Sequence, residues 1–264
     1  MKRVTSKDGT SIAYDQAGQG PALILVDGAF GTRTFGPNGA LVPLLADKFS
    51  VITYDRRGRG ESGDTKPYAV EREIEDLAAV IEAAGGAAML YGISSGGGLV
   101  LEAVNAGLPV TKIALYEIPY ITDETRKPLP DNFPAHLQEL VEAGKNGEVV
   151  KEFMTKGVNL PGFVVTMMRF MPAWPKLKAI APTAVYDMTI VNPYQHGKPF
   201  PAGIWSNLKM PALVISGGKS PAWMQNGMKS LAKVLPNASH RTLEGQTHIV
   251  KPEALAPVLK EFFS

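Results

Sequence analysis

Short runs of β-branched and other apolar residues punctuate the chain at 11–14, 22–26, 51–54, 88–93, 112–117, 212–216 and 240–243, with longer segments between them. Runs of this kind alternating with helical segments predict a mostly parallel sheet covered by helices on both faces. Between Val70 and Ala84, the residues Val70, Ile74, Leu77, Ala78 and Ile81 recur at helical spacing with glutamates opposite, and Gly85-Gly86 supplies a stop. From Pro252 to Ser264, Leu255, Val258, Leu259 and Phe262 form one stripe behind an opening proline and glutamate, as a closing helix should.

The alternation stops between about Pro119 and Lys209, where prolines, aromatics and methionines accumulate. The expected organisation is therefore a core of residues 1–118 and 210–264 with a helical lid inserted over 119–209. Phe133–Val141 and Val149–Met154 have the spacing of short amphipathic helices within that insertion. Phe163, Met167, Met168, Phe170, Met171, Trp174 and Trp205 add large, soft apolar groups, and a lid over a site has an inner face to cover. Phe30, Met167, Phe170, Met171, Trp174 and Trp223 are the expected pocket lining.

Composition narrows the partners. The 264 residues are 45% hydrophobic, enough for a full core, and 27 basic against 25 acidic residues leave a net charge of +2 with no basic run. Nucleic acid is not an expected partner. No apolar signal segment opens the chain and no run of about 18 apolar residues could span a membrane, so a cytoplasmic protein without a membrane partner is expected. A small-molecule substrate, and a monomer or homodimer, complete that expectation. With no cysteine, covalent chemistry would fall to serine, threonine, lysine or a carboxylate.

The segment Ala88-Met89-Leu90-Tyr91-Gly92-Ile93-Ser94-Ser95-Gly96-Gly97-Gly98-Leu99 carries the strongest chemical signal. An apolar strand runs into G-x-S-x-G and then into a helix of small residues, which is the context of a nucleophile elbow. Such a turn lifts the Ser94 hydroxyl clear of the sheet, and glycines flank it because a Cβ there would strike the neighbouring strand or helix. A serine hydroxyl needs a base, and the base needs a partner that fixes its tautomer. Of four histidines, His248 lies between the last strand and the last helix, at the edge where the elbow opens; His240 begins that strand at its other end, and His136 and His196 fall in the insertion.

With these features the chain resembles the α/β-hydrolase fold superfamily over nearly its whole length outside the lid. Tyr54-Asp55-Arg56-Arg57-Gly58-Arg59-Gly60-Glu61-Ser62 is similar to the family's D-x-R-G-x-G-x-S loop, and Gly245-Gln246-Thr247-His248 to its terminal G-x-x-H. The resemblance implies an eight-stranded, mostly parallel sheet with helices on both faces, a lid entering after strand six, and the order serine, acid, histidine along the chain. Two departures matter. The family's His-Gly after strand three is here Asp27-Gly28. An oxyanion hole built of main-chain donors survives that change, with Ala29 N–H and Ser95 N–H as its two arms and Asp27 bonded to loop amides. At the usual acid position after strand seven stands Ser220, which cannot balance an imidazolium. Some relatives take the acid from the end of strand six, here Glu117, which becomes the expected triad acid, with Asp27 or another carboxylate left open.

The sequence thus points to a serine hydrolase that cleaves a small to medium hydrophobic carboxylic ester, lactone or related acyl compound through a Ser94–His248–Glu117 triad, with neither metal nor cofactor called for. A carbon–carbon bond hydrolase, a perhydrolase, or a non-catalytic small-molecule-binding protein on the same scaffold are the alternatives. The arginines at 56–59 are expected in a solvated loop, paired with Glu61 and Asp64.

Overall fold

The computed structural model describes residues 1–264. Eight strands, β1 (Lys2–Thr5), β2 (Ser11–Ala17), β3 (Ala22–Val26), β4 (Ser50–Tyr54), β5 (Ala88–Ile93), β6 (Val110–Tyr116), β7 (Ala212–Gly217) and β8 (Ala238–Leu243), form one sheet in the order β1-β2-β4-β3-β5-β6-β7-β8. β1 and β2 pair antiparallel, as do β2 and β4, and every other pairing is parallel. This is the α/β-hydrolase architecture that the resemblance implied.

Successive side chains of a strand point to opposite faces, and here both faces are dry. In β3, Ile24 and Val26 join one core, whereas Leu23 and Leu25 join the other. The second, smaller core is closed by α1 (Val42–Leu45), through Leu45, and by α10 (Pro252–Phe263), through Leu255 and Leu259. On the first face lie α2 (Val70–Ala83), α3 (Ser95–Asn105) and α9 (Ala222–Val234), which bury Leu77 and Val80, Leu99 and Val100, and Met228 and Leu231. Each such fully buried aliphatic side chain contributes about 1.5–3 kcal/mol relative to exposure.

Between β6 and β7 the chain is helical: α4 (Phe133–Glu142), α5 (Asn146–Glu152), α6 (Gly162–Met168), α7 (Trp174–Ile180) and α8 (Ala184–Val191). Trp205 anchors the return to the sheet, fully buried against Tyr120, Tyr194 and Phe200. The two sequence-predicted helices of this stretch are α4 and α5, although a π-turn, Phe153–Gly157, takes over before the second reaches Met154. No helix is long and apolar enough to cross a membrane.

Three local expectations need correction. β1 is a strand without an apolar run, because it lies exposed at the sheet edge and is held by backbone pairing to β2. β8 begins at Ala238 rather than His240, so that histidine sits within the strand, with Nε2 3.0 Å from Ser216 Oγ. The arginines at 56–59 are not solvated: Arg56, Arg57 and Arg59 are at most 1% exposed. Arg56 forks onto Glu73 and also reaches Asp187, Arg57 forks onto Asp76, and Arg59 meets Asp187. Glu61 and Asp64, the neighbours in sequence, pair instead with Arg33 and Lys66. A buried guanidinium loses its hydration and must recover it from fixed carboxylates, which here come from α2, α8 and, for Arg57, also from Asp8 in the β1–β2 turn.

Candidate active site

Ser94 stands between β5 and α3 with φ 56° and ψ −134°. A Cβ on Gly96 would lie 2.4 Å from the carbonyl oxygen of Val26, and one on Gly92 would lie 2.6 Å from Gly97 Cα. The glycines of G-x-S-x-G are therefore required by close approach. Three of the four non-glycine residues with positive φ lie in this region: Phe30 at 60°, Ser94 at 56° and Glu117 at 45°. Such conformations cost about 1–3 kcal/mol each and persist where the surroundings over-determine them.

Glu117 follows the last residue of β6 and is fully buried. Its Oε1 accepts the Gly217 N–H at 2.7 Å, and its Oε2 lies 3.1 Å from Nδ1 of His248. A carboxylate only accepts, so this contact assigns the proton to Nδ1 and leaves Nε2 of His248 with its lone pair. The loop carrying His248 is fixed from below. Tyr116 Oη donates to the carbonyl of Thr247 at 2.6 Å, and Lys219 N–H to that of Gln246 at 2.8 Å. Ser94 N–H in turn donates to the Tyr116 carbonyl, so serine, acid and histidine loop all tie to the end of β6. No hydrogen bond joins Ser94 Oγ to His248, whose ring is 37% exposed while Glu117 holds its Nδ1; catalytic hydrogen bonds of this kind often tighten only when substrate is bound.

The other histidines are engaged elsewhere: His136 near Glu152, His196 near Asp131, and His240 at Ser216. Ser220, at the usual acid position, is buried and has no hydroxyl partner.

The loop after β3 lies against the elbow. A Cβ on Gly28 would fall 2.8 Å from Ser94 Cβ. The Ala29 N–H has no acceptor within the protein. Ser95 N–H opens α3, where the first amides of a helix lack intrahelical partners. Asp27 points away into the protein, packed so closely that Cβ atoms on Gly31 or Gly36 would lie 2.6 Å and 3.2 Å from it. Burial pushes its carboxyl up to about 7 against the opposing influence of Arg59, the Asn38 amide and Arg56, and its Oδ1 has no partner. Raising a carboxyl in the folded state stabilises below its ordinary value near 3.8, and that contribution is lost as pH rises toward 7. Asp27→Asn should therefore raise Tm at pH 8, by an equivalent of up to about 4 kcal/mol, and leave it nearly unchanged at pH 4. Thermal melts of both proteins across that range check it.

The six residues expected to line a pocket do not converge. Phe30 is buried edge-to-face on Phe153 at 5.2 Å, beside the elbow loop. Met167, Phe170 and Met171 are 66%, 86% and 53% exposed on and after α6. Trp174 opens α7, with Arg169 5.9 Å from its ring. Trp223 belongs to a separate cluster with Ile121 and Met224, under the Arg126 guanidinium at 4.3 Å. The apolar character of these six residues marked them as candidate lining, but composition does not say which way a side chain faces, and Met171 lies beyond the end of α6.

Comparison with known proteins agrees with this architecture. A family profile described as "Alpha/beta hydrolase family" matches residues 23–258. The crystal structure of an alpha/beta hydrolase from Sphaerobacter thermophilus is 48% identical, covers 100% of both chains and superposes with a TM-score of 0.91. A thermophilic esterase from Thermogutta terrifontis shares the fold at 21% identity and a TM-score of 0.73, over 99% of this chain and 97% of that one. The curated "Probable oxidoreductase EphD" of Mycobacterium tuberculosis is 37% identical over 83 residues, which is 30% of this chain and 14% of that protein's length.

Proposed function

The chain belongs to the alpha/beta hydrolase family, and from that premise we propose that it hydrolyses carboxylic esters or lactones through an acyl-enzyme on Ser94. The observation that carries this reading is the Glu117 Oε2 to His248 Nδ1 contact at 3.1 Å, beside a serine held in an elbow. Glu117 orients His248, and Nε2 takes the Ser94 proton as Oγ bonds to the acyl carbon. The carbonyl electron pair moves onto its oxygen, which the N–H groups of Ala29 and Ser95 receive. On collapse the carbon–oxygen bond to the alcohol breaks, and the alcohol leaves with the proton from His248. Water then repeats the sequence and frees the acid and Ser94.

The insertion over 119–209 serves in this reading as the lid. Phe153 bearing on Phe30, and Asp187 buried under the loop arginines, support that role. Phe30 is the one expected lining residue whose position favours contact with substrate.

A panel of p-nitrophenyl esters and simple lactones tests the proposal. Turnover with an initial burst of about one equivalent of nitrophenol per chain is the expected result, since acyl-enzyme accumulation gives that fingerprint. No turnover of any ester or lactone by the folded protein would refute it.

A further inference from the structure

We infer that Arg59 and Asp187 are positioning residues for the oxyanion hole: together with Arg56 they hold both of its donors from behind, through contacts that reach from the insertion into the elbow. This rests on the reading of Ser94 as the nucleophile.

Arg59 Nη1 donates to the Gly28 carbonyl oxygen at 2.7 Å, and Arg56 Nη1 to the Asp27 carbonyl at 3.3 Å. The Gly28 carbonyl and the Ala29 N–H belong to one planar peptide unit. Fixing the oxygen on Arg59 therefore fixes the direction of that N–H, which points the opposite way and has no acceptor within the protein. A cation on the carbonyl side also polarises the unit and makes the N–H a stronger donor. The second donor is held by the same carboxylate. Ser95 Oγ donates to Asp187 Oδ1 at 2.7 Å, which fixes the residue whose N–H forms the other arm.

Asp187 is thus the hub. Arg56 Nη1 reaches its Oδ1 at 2.7 Å and Arg59 Nη2 its Oδ2 at 2.6 Å, while Arg59 Nε is seated on Thr183 Oγ1 at 3.0 Å. Glu73 completes the cluster by taking both Nε and Nη2 of Arg56. Burial alone would raise the Asp187 carboxyl, but Arg59 and Arg56 hold it below the ordinary range. Two guanidinium groups and two carboxylates leave the cluster formally neutral, so it orients the hole without placing net negative charge behind a developing oxyanion. The sequence carried a trace of this: Asp187 is a lone charge in the apolar run Ala184–Val191, and a charge there needs buried partners.

The test separates positioning from mere stability. Asp187→Asn is compared with Asp76→Asn, which removes a carboxylate from an equally buried arginine pair, Arg57–Asp76, that touches neither donor. For each, kcat and KM on p-nitrophenyl acetate are measured together with the affinity for phenylboronic acid, whose tetrahedral adduct on Ser94 fills the hole. Losing one oxyanion donor outright costs about 10²–10³ in kcat. Asp187→Asn should lower kcat by about ten- to a hundredfold, change KM by less than about threefold, and weaken the boronate by the same factor as kcat. Asp76→Asn should lower Tm yet leave kcat and boronate affinity within about twofold. Should Asp187→Asn not fold, Ser95→Ala, which keeps the N–H and removes only the hydroxyl contact, should lower kcat and boronate affinity together by about three- to tenfold. Equal effects of Asp187→Asn and Asp76→Asn, or a Ser95→Ala protein with unchanged kcat and boronate affinity, would overturn the inference while leaving the nucleophile intact. A wild-type protein that forms no boronate adduct would overturn the Ser94 reading, and this inference with it.

Discussion

Glu117→Gln is expected to lower kcat by about ten-thousandfold with little change in KM, a loss of about 5.5 kcal/mol of transition-state stabilisation. The reason is a constraint on which way the amide can face. Glu117 Oε1 accepts the Gly217 N–H at 2.7 Å, and Gly217 lies on β7, where that donor cannot move aside. A glutamine must keep its oxygen there, which turns its NH₂ toward His248 Nδ1. Two donors cannot share that contact, so Nδ1 becomes the acceptor and the proton moves to Nε2, the atom that must take the Ser94 proton. The fold should survive, because size and the Gly217 bond are kept. Steady-state kinetics on a p-nitrophenyl ester check this; a loss of less than about tenfold would move the acid role away from Glu117. Asp27 is poorly placed to inherit it, being turned away among Gly31, Gly36 and the Arg56–Arg59 cluster.

Ser94→Ala should be more severe, about a millionfold in kcat, because removing the nucleophile leaves only binding and the oxyanion donors. The same change is expected to raise stability slightly or leave it unaltered. Ser94 carries a strained φ of 56° that alanine tolerates no worse, and its hydroxyl forms no hydrogen bond to His248 that would be lost. Loss of activity with an unchanged melting curve separates a chemical role from a structural one.

The parts of this site legible in the sequence are those whose chemistry dictates local sequence. Ser94 was readable because a sharp strand-to-helix turn admits only glycine at 92 and 96, and His248 because the loop between the last strand and helix opens at the same sheet edge. Strands buried on both faces, such as β3 and β5, appear as unbroken apolar runs, whereas β1 is paired only through its backbone and leaves no such trace. The arginine cluster is hidden from the sequence for a different reason. Sequence proximity favoured Glu61 and Asp64, but the carboxylates that neutralise Arg56 lie 17 and 131 positions away, on α2 and α8. Such long-range pairing is invisible to any local pattern. Met167, Phe170 and Met171 stood out in the sequence only as large apolar groups in the insertion, and composition does not encode whether packing turns them inward; here they are exposed.

The proposed chemistry stands on Ser94 being an activated nucleophile. Incubation of wild-type protein and Ser94→Ala with a fluorophosphonate, followed by intact-mass measurement, tests it most directly. One adduct per wild-type chain and none on Ser94→Ala is the expected result. An unmodified wild-type protein, or an adduct that persists in Ser94→Ala, would contradict it.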